Sequence, residues 1–223
     1  TNGSGDLNIA EAEIADHIRS FDEIRELERL QVCLRLGAEI LRDQGKVLIW
    51  SYFLGNLDML REAFQPLASF VEVLTGATPV AGHDVDEGHG LGTREEIIDR
   101  FHSTTGHAVL IANPQAVGES ISLHKACRSA IYFDRDFNAG RFIQSKDRIH
   151  RYNPDGGGEV NYYYLEAAGS VDEDIAGRLA AKEGRLASLV DADDIPILTA
   201  DENDANSDDI RKILESYERR KSQ

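Results

Sequence analysis

The run Gln144-Ser-Lys-Asp147-Arg148-Ile-His-Arg151 gathers the residue types that act on phosphate. On a helix, Gln144, Arg148 and Arg151 stand at i, i+4 and i+7 and project from one face. A guanidinium keeps its charge and forks onto phosphate oxygens. Two of them side by side suit the charge that builds on a transferring γ-phosphoryl group, with Gln144 positioning the pair. The plain alternative is a solvated helix face laced by ion pairs, such as Asp147 with Arg151. The surroundings favour an anionic ligand. Residues 135 to 151 carry Arg135, Arg141, Lys146, Arg148 and Arg151 against Asp136 and Asp147.

That patch is basic inside an acidic chain. The 223 residues carry 40 acids against 24 lysines and arginines, a net charge of −16. Such a balance argues against a simple nucleic-acid module. The acid is concentrated at the two ends, 1–45 and 191–223. Cys33 and Cys127 give neither a disulfide framework nor a metal quartet, and imply a reduced, cytosolic protein. No apolar run approaches the ~20 residues of a membrane span, and no signal peptide is recognised.

The elements that must position the arginines follow from hydrophobic patterning. Apolar residues recur at helical spacing over 7–43, and Gly45 ends the run. Short apolar strings follow at Val47–Trp50, Phe70–Leu74, Ala108–Ala112, Ala130–Phe133 and Val160–Leu165. Near-continuous strings of this kind predict parallel strands buried on both faces. Helices are predicted between them at Asn56–Phe64, Thr93–His102 and Ala139–His150, the second opened by the capping box Thr93-Arg-Glu-Glu96. Ser170-Val-Asp-Glu173 opens another helix, running to about Val190. This alternation predicts an α/β domain with a mostly parallel sheet. The tail from Asp191 is acidic and poor in apolar residues, with a short helix expected over 207–221.

The order of these pieces resembles the C-terminal RecA-like lobe of superfamily-2 helicases, Swi/Snf-type branch. Lys46-Val-Leu-Ile-Trp-Ser51 through Asp58 is similar to motif IV. Leu74-Thr75-Gly76 and the Arg94-x-x-x-Ile98-x-x-Phe101 helix resemble the steps after it. Val109 to Leu123, turning at Gly118, resembles motif V, and Gln144 to Arg151 resembles motif VI. Tyr162–Leu165 through Ser170-Val-Asp-Glu-Asp-Ile175 resembles the last strand and helix. The chain departs from the family in motif V, which keeps one glycine of three. It departs again after the arginines, where Tyr152-Asn-Pro154 stands in place of Gly-Gln. It is therefore expected to be a divergent member, of bacterial or phage origin.

The resemblance implies a three-layer RecA-like domain over 46–168, preceded by a helical lead-in at 1–45. A packed helix at 169–190 and the acidic tail at 191–223 follow it. It implies arginine fingers at Arg148 and Arg151, with Gln144 beside them, and nucleotide contacts at Gly118, Glu119 and Asp147. Nucleic-acid contacts fall on Ser51, Thr75, Gly76, Ser120 and Ser122, gripping phosphates rather than reading bases. Neither a G-x-x-x-x-G-K-[ST] loop nor a D-E-x-H box occurs in the chain. ATP and Mg²⁺ would be bound mainly by an N-terminal RecA-like lobe of the same parent protein, and this chain alone should be inactive. The expected track is DNA, double-stranded rather than single, and the expected location is cytoplasmic, or nucleoid-associated in a bacterium. Two rival readings are a non-catalytic helicase-like interaction module and a nucleotide-binding glycosyltransferase lobe. His83 and His89, with Asp84, Asp86 and Glu87, match no familiar metal template, and no metal is expected. Tyr162 to Tyr164 read as a packed strand rather than a base-stacking platform.

Overall fold

The structure, a computed structural model, describes residues 27–80, 92–115, 122–150 and 159–190, the last five by backbone alone. Five strands form one sheet: β1 (Lys46–Trp50), β2 (Phe70–Leu74), β3 (Ala108–Ala112), β4 (Ser129–Tyr132) and β5 (Asn161–Tyr164). Their order is β2-β3-β1-β4-β5 and every pairing is parallel. The interior strands β3 and β4 are buried along their whole length, the reason their sequences are apolar but for Ser129 of β4, whose hydroxyl donates to Gln44 Oε1 at 2.9 Å.

Helices cover both faces. A helix over residues 27–44, α1, packs with α2 (Gly55–Phe64) through Cys33, Ile40, Leu41, Leu57, Leu60 and Phe64 onto Val47, Ile49, Val109, Ile111 and Ile131. On the opposite face, α3 (Arg94–Ser103), α4 (Ala139–Asp147) and α5 (Val171–Val190) contribute Ile97, Phe101, Phe142, Ile175 and Leu179. This three-layer α/β arrangement is the expected one. The predicted capping box at Thr93 is present, with Thr93 Oγ1 accepting from Glu96 N and the Glu96 carboxylate accepting from Thr93 N at 2.8 Å. Gly45, at φ 77°, ends α1 and turns the chain into β1, a conformation that glycine adopts without a Cβ clash.

One expected boundary is corrected. The helix predicted over Ala139–His150 ends at Asp147. There the backbone tightens to i→i−3 bonds, Arg148 N to Ser145 O at 3.4 Å and Ile149 N to Lys146 O at 3.3 Å. Ile149 turns inward and is 1% exposed. The helix expected to carry Gln144, Arg148 and Arg151 thus stops before Arg148, which caps it, and Arg151 lies outside the described residues.

Gly37 lies where α1 meets the Phe64 ring of α2. A Cβ added there would meet the Phe64 ring at 2.5 Å. Gly→Ala inside a helix ordinarily stabilises by about 1 kcal/mol. At Gly37 the clash with a fully buried ring should outweigh that gain, for a net loss of roughly 1–2 kcal/mol. Gly37→Ala should lower the urea midpoint with an unchanged m value. A raised midpoint would mean that Phe64 gives way without cost.

Candidate functional site

In open parallel sheets, ligands bind beyond the carboxyl ends of the strands. That edge is formed here by Ser51–Leu54 after β1, Thr75–Thr78 after β2, Asn113 after β3, Asp134–Asn138 after β4 and Glu166 after β5.

Its centre is Asp134, 3% exposed. One carboxylate oxygen accepts from Ser51 Oγ at 2.5 Å and Asn56 Nδ2 at 3.0 Å, and the other from Tyr52 N at 2.6 Å. All three donors belong to the β1–α2 corner, so one side chain of β4's end fixes the path of its neighbour. Asn113 braces the corner from the other side, donating from Nδ2 to Ser51 O at 3.2 Å and Tyr52 O at 2.9 Å. Burial raises the Asp134 carboxyl above its ordinary 3.8, and these hydrogen bonds offset only part of that shift. Asp136, close by, is likewise raised by burial. Arg135 is buried, pairs with Glu166, and lies 4.8 Å over the Tyr164 ring.

The helix α4 is held to the sheet by hydroxyls. Tyr132 Oη and Ser145 Oγ share a bond of 2.7 Å, and Tyr162 Oη donates to Lys146 O at 2.8 Å. The second contact fixes the last turn of α4, beside Asp147 and Arg148. Tyr162 thus belongs to a packed strand, as expected, and also anchors the arginine-bearing turn.

The predicted site residues divide into three groups. Arg148, half-buried, accepts at its carbonyl from Leu123 N at 2.8 Å, which joins its turn to Ser122. Ser122 offers its carbonyl to His102 Nε2 at 3.2 Å and its hydroxyl to His124 Nδ1 at 2.5 Å. Gln144, Asp147 and Gly76 are exposed, and Thr75 is half-buried. Ser51 is fully buried with its hydroxyl committed to Asp134, so it shapes the edge from beneath and has no exposed atom for a ligand. Gly118, Glu119, Ser120 and Arg151 lie outside the described residues, as do His83 and His89. Among the described residues, no cluster of three metal-ligating side chains occurs and no helix is long and apolar enough to cross a membrane.

Sequence reasoning did not single out Asp134, Asn113 or Arg94. The signal available for the first two was position: each is the first strongly polar residue after an apolar string.

No family model matches the sequence. The chain is 30% identical over 152 residues to "ATP-dependent helicase fft1" of Schizosaccharomyces pombe, covering 68% of this chain and 14% of that protein. It is 28% identical over 171 residues to "DNA repair and recombination protein RAD54B" of Homo sapiens, covering 75% of this chain and 17% of that protein. Among solved structures, the C-terminal part of the Fun30 ATPase domain superposes with a TM-score of 0.62 at 25% identity, covering 85% of this chain and 52% of that one. The relatives are Swi/Snf-family ATP-dependent helicases, and the five-stranded parallel fold matches the RecA-like domain of that Fun30 fragment. The chain spans about a sixth of the length of these curated relatives. Fission yeast and human relatives lend no support to a bacterial or phage origin or to a nucleoid location.

Proposed function

We propose that this chain is the C-terminal lobe of a Swi/Snf-type ATP-dependent motor that translocates on double-stranded DNA. In this reading Arg148 and Arg151 act on the γ-phosphate of ATP from across a cleft, and Gln144 positions them. Gly118, Glu119 and Asp147 lie beside the nucleotide. Residues 46–168 are the lobe, 169–190 its packed helix, and 1–45 and 191–223 its flanks. The observation that supports the reading most is the join of Leu123 N to Arg148 O at 2.8 Å. It ties the segment that leads from β3 into β4 to the arginine turn at the end of α4, so the two stretches that resemble motifs V and VI are in contact.

The chemistry fits the residues present. An arginine supplies charge to a phosphoryl group in transfer and needs no proton exchange to do so. Mg²⁺, held by carboxylates of the other lobe, would neutralise charge between the β- and γ-phosphates. DNA would be gripped at Thr75, Gly76, Ser120 and Ser122, while Ser51 supports the β1–α2 corner from within. Closure of two lobes on ATP then shifts that grip along the strand.

The test is ATP turnover by the intact two-lobe protein with and without double-stranded DNA, beside this chain alone. DNA-stimulated turnover in the intact protein, absent from the isolated chain, is the expected result. An intact protein that turns over no ATP would overturn the motor reading in favour of a non-catalytic interaction module.

A further inference from the structure

After β2 the chain makes a tight turn, Thr75-Gly-Ala-Thr78, whose shape is set from outside. Within the turn, Thr78 N donates to Thr75 O at 3.1 Å, Thr75 N to Thr78 Oγ1 at 2.9 Å and Ala77 N to Thr75 Oγ1 at 3.2 Å. The main-chain carbonyls face Arg94, the first residue of α3. Arg94 Nε donates to Thr78 O at 3.0 Å, and one terminal nitrogen to Gly76 O at 3.1 Å and Thr75 O at 3.4 Å. Arg94 N also donates to Pro79 O at 2.8 Å, so backbone and side chain of one residue hold both arms of the turn. The Thr93 capping box fixes where that helix begins.

A guanidinium on three carbonyls does two things. It collects the negative ends of the peptide dipoles on one side of the turn. It also sets a positive charge beneath an exposed loop tip. Gly76 and Ala77 are exposed, a Cβ built on Gly76 would meet nothing within 4 Å, and Gly76 N–H has no partner among the described residues. An amide on an exposed residue beside a half-buried cation is a donor for a phosphate oxygen.

We propose that Arg94 is the positioning residue of a backbone phosphate grip at Thr75–Ala77, ordering the turn so that the Gly76 amide meets the DNA backbone. This rests on the proposed function for the identity of the anion. Arg94 acts through the turn: its guanidinium is occupied by carbonyls and does not itself touch DNA.

The experiment uses the intact two-lobe protein with Arg94→Ala and Arg94→Lys. Turnover is measured against double-stranded DNA and against ATP, binding is titrated with salt, and hydrogen exchange is followed over residues 74–79. The DNA concentration for half-maximal turnover should rise about tenfold in both variants, with saturating turnover and the KM for ATP within twofold of the original. The salt slope of binding should shrink by about one phosphate contact. Exchange at 75–77 should quicken while the sheet stays protected. Lysine cannot span three carbonyls, so Arg94→Lys should resemble Arg94→Ala. An unchanged DNA requirement would overturn the proposal, and so would a lysine variant that behaves like the original, because charge alone would then suffice. Loss of turnover and ATP affinity together, with DNA affinity kept, would overturn it as well and leave Arg94 a structural residue. An original protein indifferent to DNA would overturn the proposed function and the DNA role of the turn together. Quickened exchange at 75–77 would still separate that result from an error about what Arg94 holds.

Discussion

Arg148→Ala in the intact two-lobe protein should lower saturating ATP turnover by about 10³-fold and leave the half-saturating DNA concentration nearly unchanged. Arginine fingers contribute about 10³–10⁵ to phosphoryl transfer. The lower end applies because a second arginine, Arg151, remains. Arg148 caps α4, and the contact that joins it to Leu123 runs through its main-chain carbonyl. Truncating the side chain keeps that hydrogen bond, the Tyr162 anchor on Lys146 and the buried Ile149. A urea midpoint measured alongside should separate a loss in the chemical step from a loss in folding. Arg151→Ala should fall in the same range, and the double variant should be little worse than either single one, since residues acting as a unit are non-additive. Arg148→Lys should recover little, because an ammonium lacks the planar fork. Unchanged turnover in both single variants would remove the finger assignment while leaving the fold and the relatives untouched.

The sheet was legible because burial on both faces leaves a plain record. Val47-Leu-Ile-Trp50 and Ala108-Val-Leu-Ile-Ala112 contain no polar residue, and each lies within one residue of the observed strand. The Thr93–Glu96 capping box was legible because its four residues carry the whole mechanism locally. The end of α4 was not. Helical periodicity continues through Ile149, yet the chain leaves the helix two residues earlier, and the last turn is fixed by Tyr162 from a strand that follows it in sequence. The corner at Ser51 failed for the same reason. A serine after a strand reads as a surface group until Asp134, eighty-three positions away, is seen to accept its hydrogen bond. Arg94 was quoted only as part of a helix pattern. That it reaches back onto three carbonyls depends on the distance between two loops, and no local spacing records it.

Asp134→Ala should destabilise the lobe by about 3–5 kcal/mol, a large part of the stability of an ordinary domain. The carboxylate is sole acceptor for Tyr52 N and Asn56 Nδ2 among the bonds described, whereas Ser51 Oγ can turn to Phe53 O at 3.1 Å. Each buried donor left without a partner costs about 1–3 kcal/mol, and the relief of an unfavourably buried charge offsets part of the sum. Asp134→Asn should be milder, because a carboxamide oxygen can still receive Tyr52 N while its amide donates to Ser51 Oγ, leaving Asn56 opposed. Wild type and asparagine variant should also differ in pH dependence. The folded carboxyl is raised above 3.8 by burial, so the folded state holds its proton more tightly than the unfolded chain. Stability from Asp134 is then complete below the unfolded value and is lost as pH rises through the folded one. The advantage of wild type over Asp134→Asn, read from urea midpoints across acidic to neutral pH, should shrink as pH rises. A gap that widens with pH would mean that the three hydrogen bonds outweigh burial and that the carboxylate is stabilised where it stands. The corner would then be held by a favourable charge. A raised value instead describes a corner held against the preference of its own carboxylate for water, kept in place because Tyr52 N and Asn56 Nδ2 have no other acceptor among the described residues.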